Sequence, residues 1–276
     1  MKILEQFIEG KKQDEELCED GIFVSDDFIS IIDGATTKGN MKIDDKTPGR
    51  TAMEVIKISL GKAPKDISAS DMIKQIFNDL TEFYKQHSIY EQVRDNPSER
   101  PTASISIYSC HHKEIWFVGD CQAFVDGVHI NNEKNIDIVL SEARAAYIQT
   151  EIDSGVSVDS LMQHDTGREF IFPMLKRQGM FQNNKNKSEY SYDVIDGFNV
   201  ENCEVQVVSA YNAKNIVLAS DGYPKVFDTL SVSEEYLEKI LKEDPLCFKL
   251  YKSTKGIEKG NTSFDDRSYI SFALDL

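Results

Sequence analysis

The residues in this sequence best suited to chemistry are acids at the ends of apolar runs. Phe28-Ile29-Ser30-Ile31-Ile32 ends in Asp33-Gly34, followed by Ala35-Thr36-Thr37-Lys38-Gly39. Glu19-Asp20 stands just before the same apolar stretch. Asp221-Gly222 follows Ile216–Ala219, and Asp265-Asp266 precedes the last β-rich run. Asp120 follows Gly119 in a tight turn between two further runs. Any one of these reads as a turn, because Asp bonds its own backbone and Gly accepts positive φ. Taken together they say more. Strand ends of one sheet system can converge on one edge, and carboxylates gathered there repel unless a cation sits among them. A donor set of oxygens, with no Cys or His, suits Mg²⁺ or Mn²⁺ and not Zn²⁺. Two such ions about 4 Å apart activate water for phosphate ester hydrolysis.

Strands and helices must bring these acids together. Period-2 or short β-rich runs cover Met1–Ile8, Gly21–Asp33, Ala103–Ser109, Glu114–Val118, Ala123–Ile130, Cys203–Ser209, Asn215–Ser220 and Ser268–Leu274. The stretch Ala103–Val128 reads as an antiparallel meander. Helical spacing predicts helices over Thr51–Leu60, Ser70–Gln86 and Ser233–Lys242, with Ser70 and Ser233 as N-caps, and two more over Ser141–Ser154 and Ser157–Gln178. Strands in groups with helices between them predict an α+β fold, not a doubly wound parallel sheet. The polar stretch Phe181–Asp193 reads as a loop or flap. Asp26-Asp27 and Asp44-Asp45 read as turn acids, His111-His112 as surface residues and Trp116 as core.

Composition narrows the function classes. A net charge of -16 over 276 residues repels nucleic acid and anionic membranes, so neither is expected as a partner. No apolar run approaches the ~18 residues of a membrane span. The opening MKILEQFIEGKK has acids inside its apolar stretch, so no signal peptide is expected. Five widely spaced cysteines predict reduced thiols and a cytoplasmic protein.

The segments CEDG, IIDG, PTASISIYSCHHKEIWFVGDCQA, IVLASDGYPKVF and DDRSYI, in this order and spacing, resemble the metal-dependent PP2C-type (PPM) protein serine/threonine phosphatases, as a divergent bacterial-type member. No single segment is specific; the ordered set is, and it covers nearly the whole chain. The resemblance implies a four-layer αββα sandwich of two antiparallel sheets flanked by helices. It also implies one phosphatase domain over 1–276, with a variable flap-like insertion around 141–193. By position, Asp33 would bridge two Mg²⁺ or Mn²⁺ ions and Gly34 would give one of them its carbonyl. Asp221 and Asp265 would hold the other. Glu19 and Asp20 would sit near the metals, with water between Asp20 and its ion as one arrangement. Asp120 matches an aspartate that in some bacterial members helps bind a third, weaker ion. Asp33 and Asp20 are thus the residues implied to serve catalysis. The implied substrate is a phosphorylated protein, hydrolysed by activated water with no phospho-enzyme, and a monomer is favoured.

Departures from the family pattern keep other readings open. Ala35 stands where many members have a histidine proposed to protonate the leaving group. Glu15 stands where a phosphate-binding arginine is found, with Lys11, Lys12 and Lys38 as nearby basic substitutes. Arg100-Pro101-Thr102-Ala103 replaces Gly-Ser-Thr-Ala, and Asp265-Asp266 replaces Asp-Asn. A pseudophosphatase that binds without hydrolysing, and a phosphatase for a small phosphorylated molecule, are the alternatives. A haloacid dehalogenase-type site is excluded, since it needs a second acid where Ala35 stands.

Overall fold

Alternation along the strands decides which side chains meet. The computed structural model describes residues 1–274. One sheet contains β2 (Asp20–Val24), β3 (Phe28–Gly34), β4 (Ala103–Ser109), β5 (Glu114–Val118) and β8 (Gln206–Ser209), in that spatial order. The other runs β1 (Lys2–Glu9), β10 (Arg267–Ala273), β9 (Asn215–Ala219), β6 (Gln122–Val125) and β7 (Val128–Ile130). All pairings between these strands are antiparallel.

On β3, Ile29 and Ile31 join Ile22, Tyr108, Ile115, Phe117, Leu218, Ile270 and Phe272 between the sheets. Phe28 and Ile32 point the other way, against α1 (Pro48–Lys62) and α2 (Ala69–Gln86). On the far side, Val217, Ala219 and Tyr269 pack with Leu237 and Ile240 of α7 (Leu230–Glu243). Each of these buried side chains contributes roughly 1.5–3 kcal/mol. The layers are therefore helix, sheet, sheet, helix, the α+β sandwich expected. Between β7 and β8 come α4 (Asn135–Asp153), α5 (Val158–Gln163) and α6 (Thr166–Arg177), preceded in the chain by the short α3 (Tyr90–Asp95).

Four sequence expectations need correction. The run Gly21–Asp33 is not one strand but a hairpin. Its turn is closed by Ser25, whose Oγ accepts from the Phe28 N–H at 3.0 Å. The meander ends after β5, because β6 pairs with β9 in the other sheet. Ser68 and Thr229 cap α2 and α7, not Ser70 and Ser233; each cap hydroxyl accepts a backbone N–H three residues on. The predicted helix Ser157–Gln178 is split where Asp165 starts a new helix by capping Arg168 N. Trp116 is core, 1% exposed, and Asp44 and Asp45 take positive φ in a turn. All five cysteines are free thiols, and no helix among the described residues is long and apolar enough to cross a membrane.

Candidate metal centre

The hairpin places Asp20 directly opposite Asp33 in register. Asp33 continues the parity of Ile29 and Ile31, so its carboxylate lies at one end of the space between the sheets. Its neighbour on β4 is Ser104. The chain then leaves this sheet at Gly119, whose φ of +89° suits glycine and where a Cβ would strike the Ser104 side chain. That crossover delivers Asp120. From the other sheet, Asp221 follows β9, and its N–H donates to Asp33 Oδ2 at 3.3 Å. Carboxylate oxygens of Asp33, Asp120 and Asp221 all lie within 4.8 Å of one another.

The electrostatics of this trio are unfavourable without a cation. Burial pushes the Asp33 carboxyl well above its ordinary value, and Asp221 adds to the shift. Asp221 is raised by burial and then by Asp120. Asp120 goes the other way. Burial works to raise it, but Lys134, with Nζ at 2.8 Å, outweighs burial and holds it low. Ser104 Oγ also donates to Asp120, at 2.5 Å. A divalent ion among oxygen donors would keep all three acids ionised, so the residues fit Mg²⁺ or Mn²⁺.

The other expected site residues lie around this trio in distinct environments. Asp20 is buried and accepts from Ser268 Oγ at 2.8 Å. Glu19 accepts from Thr36 Oγ1 at 2.5 Å and from Thr47 Oγ1 at 2.6 Å. Gly34 has no room for a side chain: a Cβ would lie 2.5 Å from the carbonyl oxygens of Glu19 and Gly49. Asp265 lines the same cleft but is not one of the trio. Lys11 lies 3.0 Å from it and Lys255 is its second ion-pair partner. Burial opposes them, yet the two ammonium groups hold Asp265 below its ordinary range. Asp266 is structural, its two oxygens accepting the Lys11 and Glu19 backbone N–H groups at 2.9 Å each.

Sequence reasoning missed Lys134, Lys255 and the serines. The serines did leave a signal: Ser104 and Ser268 are polar residues at inward positions of otherwise apolar strands. The lysines left none, because Lys134 and Lys255 lie fourteen and ten positions from their acids, beyond the spacing of a turn or a helix face. The cleft, about 200 Å³, is walled on one side by α4, α6 and the turn after it, through Asp137, Ser141, Leu175 and Gln178. That wall is tied down by buried Asp196, which accepts from Arg100 at 3.0 Å, Gln182 at 2.7 Å and Asn183 at 2.9 Å.

Fold and site together define a two-sheet α+β sandwich with an oxygen-rich acidic centre at one end. No family model and no curated protein matches the chain. Among solved structures it is similar in shape to bacterial serine/threonine phosphatases. Stp1 from Staphylococcus aureus is 14% identical, with a TM-score of 0.49 over 99% of this chain and 94% of that one. The catalytic domain of PstP in complex with two manganese ions is 12% identical, with a TM-score of 0.49 over all of both chains. PstP/Ppp from Mycobacterium tuberculosis is 12% identical, with a TM-score of 0.46 over 99% and 100%.

Proposed function

We propose that this chain is a Mg²⁺- or Mn²⁺-dependent phosphatase of the PP2C type, acting on phosphoserine and phosphothreonine in proteins. The observation that carries the reading is the convergence of Asp33, Asp120 and Asp221 from both sheets on one cleft. Bound divalent ions supply Lewis acidity, lowering the pKa of water and offsetting charge on phosphoryl oxygens. Asp33, the Gly34 carbonyl, Asp221 and Asp265 would hold two ions, and Asp120 would be the contact for a third. Glu19 is oriented for a supporting role by Thr36 and Thr47, and Asp20 by Ser268.

The nucleophile in this reading is water, and the chain supports that choice. Cys121 lies near the acids, but burial, and then Asp33, push its thiol well above its ordinary value, so it stays protonated. The leaving oxygen takes its proton from solvent, since Ala35 supplies none.

One observation favours a second reading. Asp265 already has Lys11 and Lys255 as counter-ions, as a binding module of this fold that holds a phosphate without hydrolysing it would need. Hydrolysis of p-nitrophenyl phosphate with Mn²⁺, with EDTA and in Asp33→Asn and Asp221→Asn separates the two. Activity that requires Mn²⁺ and both acids is expected. Activity indifferent to chelation would sink the metal-dependent mechanism, and none in a folded Mn²⁺-loaded protein would favour the binding module.

A further inference from the structure

Lys38 is the exception among the lysines at this cleft. Lys134 is tied to Asp120, Lys252 to Glu142 and Lys255 to Asp265, and Lys11, which does not line the cleft, to Asp265 and Asp266. Lys12 is exposed and does not line the cleft. Lys38 lines the cleft with Asp33 and Asp221, yet among the described residues no carboxylate lies within ion-pair reach of it. Its Nζ makes one hydrogen bond, to the Thr36 carbonyl at 2.7 Å, which leaves two donors free. An unpaired ammonium is a notable thing to keep in a chain with 47 acids and 31 lysines and arginines.

The surroundings of Lys38 call for an anion. Burial pushes its ammonium down to about 7, and the nearby cations Lys255 and Arg168 push the same way, against weaker pulls from Asp265 and Asp137. Lys255 lines the same cleft, so a bound anion there would relieve the charge it shares with Lys38, as a cation would for the acids of the trio. The loop that carries Lys38 is also pinned. Ala35 N–H donates to Thr102 O at 2.8 Å, Thr37 Oγ1 to Ser98 O at 3.1 Å, and Gly39 N–H to Thr37 Oγ1 at 3.2 Å. A lysine held on a fixed loop five residues beyond Asp33 is a preorganised anion contact.

We propose that Lys38 is the phosphate anchor of the cleft, binding phosphoryl oxygens of a phosphate monoester while the acids hold the ions. This rests on the metal-dependent reading above, and the test keeps the two apart. Inorganic phosphate is titrated calorimetrically into the full chain, with Mn²⁺ and with EDTA, for wild type, Lys38→Met and Lys38→Arg. Lys38→Met is expected to weaken phosphate roughly 10- to 100-fold, the scale of one charged hydrogen bond. Its KM for p-nitrophenyl phosphate should rise while Mn²⁺ bound per chain stays the same. Lys38→Arg keeps the charge and should stay within about fivefold of wild type. Lys38→Met should also melt no lower than wild type, because it removes a half-buried cation with no carboxylate partner. Phosphate bound equally well by Lys38→Met, or not at all by Mn²⁺-loaded wild type, overturns the anchor. If wild type binds no Mn²⁺, it is the phosphatase reading that fails, and the EDTA titration still decides Lys38.

Discussion

Asp20 and Asp33 are registered partners across the β2–β3 hairpin, thirteen positions apart in sequence and directly opposite in the sheet. Two carboxylates so placed, Asp20 buried and Asp33 half-buried, need something to hold them. Ser268 serves Asp20, and the Asp221 N–H serves Asp33. Neither is a full counter-charge, and the consequences are measurable.

Replacing Asp33 or Asp221 by Asn removes one member of a repelling set. Without metal, either variant should melt no lower than wild type, since Asn keeps the shape and an acceptor oxygen. With Mn²⁺ at a hundred times its Kd, wild type should gain about 2.7 kcal/mol, or roughly 5–10 °C, and the variants little. Thermal unfolding with EDTA and with Mn²⁺ checks this. An undiminished Mn²⁺ shift in both variants would show that the ion binds elsewhere.

The metal-free chain should lose stability as pH rises. Burial raises Asp20 to about 8 and Asp221 to about 7, against an ordinary 3.8. Over that interval the folded state holds protons that the unfolded chain has released. Their stabilising effect is complete below the ordinary value and disappears as pH climbs through the folded values. Asp265 is depressed instead, so its contribution is present above 3.8 and is lost only on acidification. Between about pH 5 and 8 the first effect dominates. Melting temperatures in EDTA should fall across that range, and saturating Mn²⁺ should flatten the curve; a flat curve in EDTA would contradict the assignment.

Gly34→Ala should be severe. The added Cβ meets two backbone carbonyls at 2.5 Å, and neither the β2–β3 hairpin nor the start of α1 can yield without moving Glu19 or Gly49. A cost of about 1–3 kcal/mol is expected from overpacking, together with weaker Mn²⁺ binding. Chemical denaturation reads the first, equilibrium dialysis the second. Gly61→Ala in α1, where the added Cβ meets only the Phe23 ring at 3.9 Å, controls for loss of a glycine in itself.

Lys134 should set the number of ions. Its ammonium, 2.8 Å from Asp120, already compensates the acid assigned to a third ion. Two Mn²⁺ per chain are therefore expected for wild type, and a third, weaker one for Lys134→Met. Three ions in both proteins would mean that the ammonium leaves Asp120 when ions bind, and two in both that Asp120 holds no third ion.

Much of the site was legible because its signals are local. An apolar run ending in Asp-Gly is a property of neighbouring residues, and so is the alternation that puts Ile29, Ile31 and Asp33 on one face. Grouped strands and helices likewise pointed to the α+β class, while the sandwich came from the resemblance. The errors came where local signals do not reach. Ser25-Asp26-Asp27 carries turn chemistry, but the apolar residues on both sides outweighed it in the reading of Gly21–Asp33 as one strand, and had it been one, Asp20 and Asp33 would stand at its opposite ends. The acids' types, their order and their places at strand ends were thus determined by the sequence. The tertiary structure decided that β6 crosses to the second sheet, that Asp33, Asp120 and Asp221 meet, and which lysine each acid keeps. Those outcomes depend on contacts beyond the reach of any local pattern, from Lys255 and Asp265 ten positions apart to Asp33 and Asp221 188 apart, and they form only when both sheets close over a shared core.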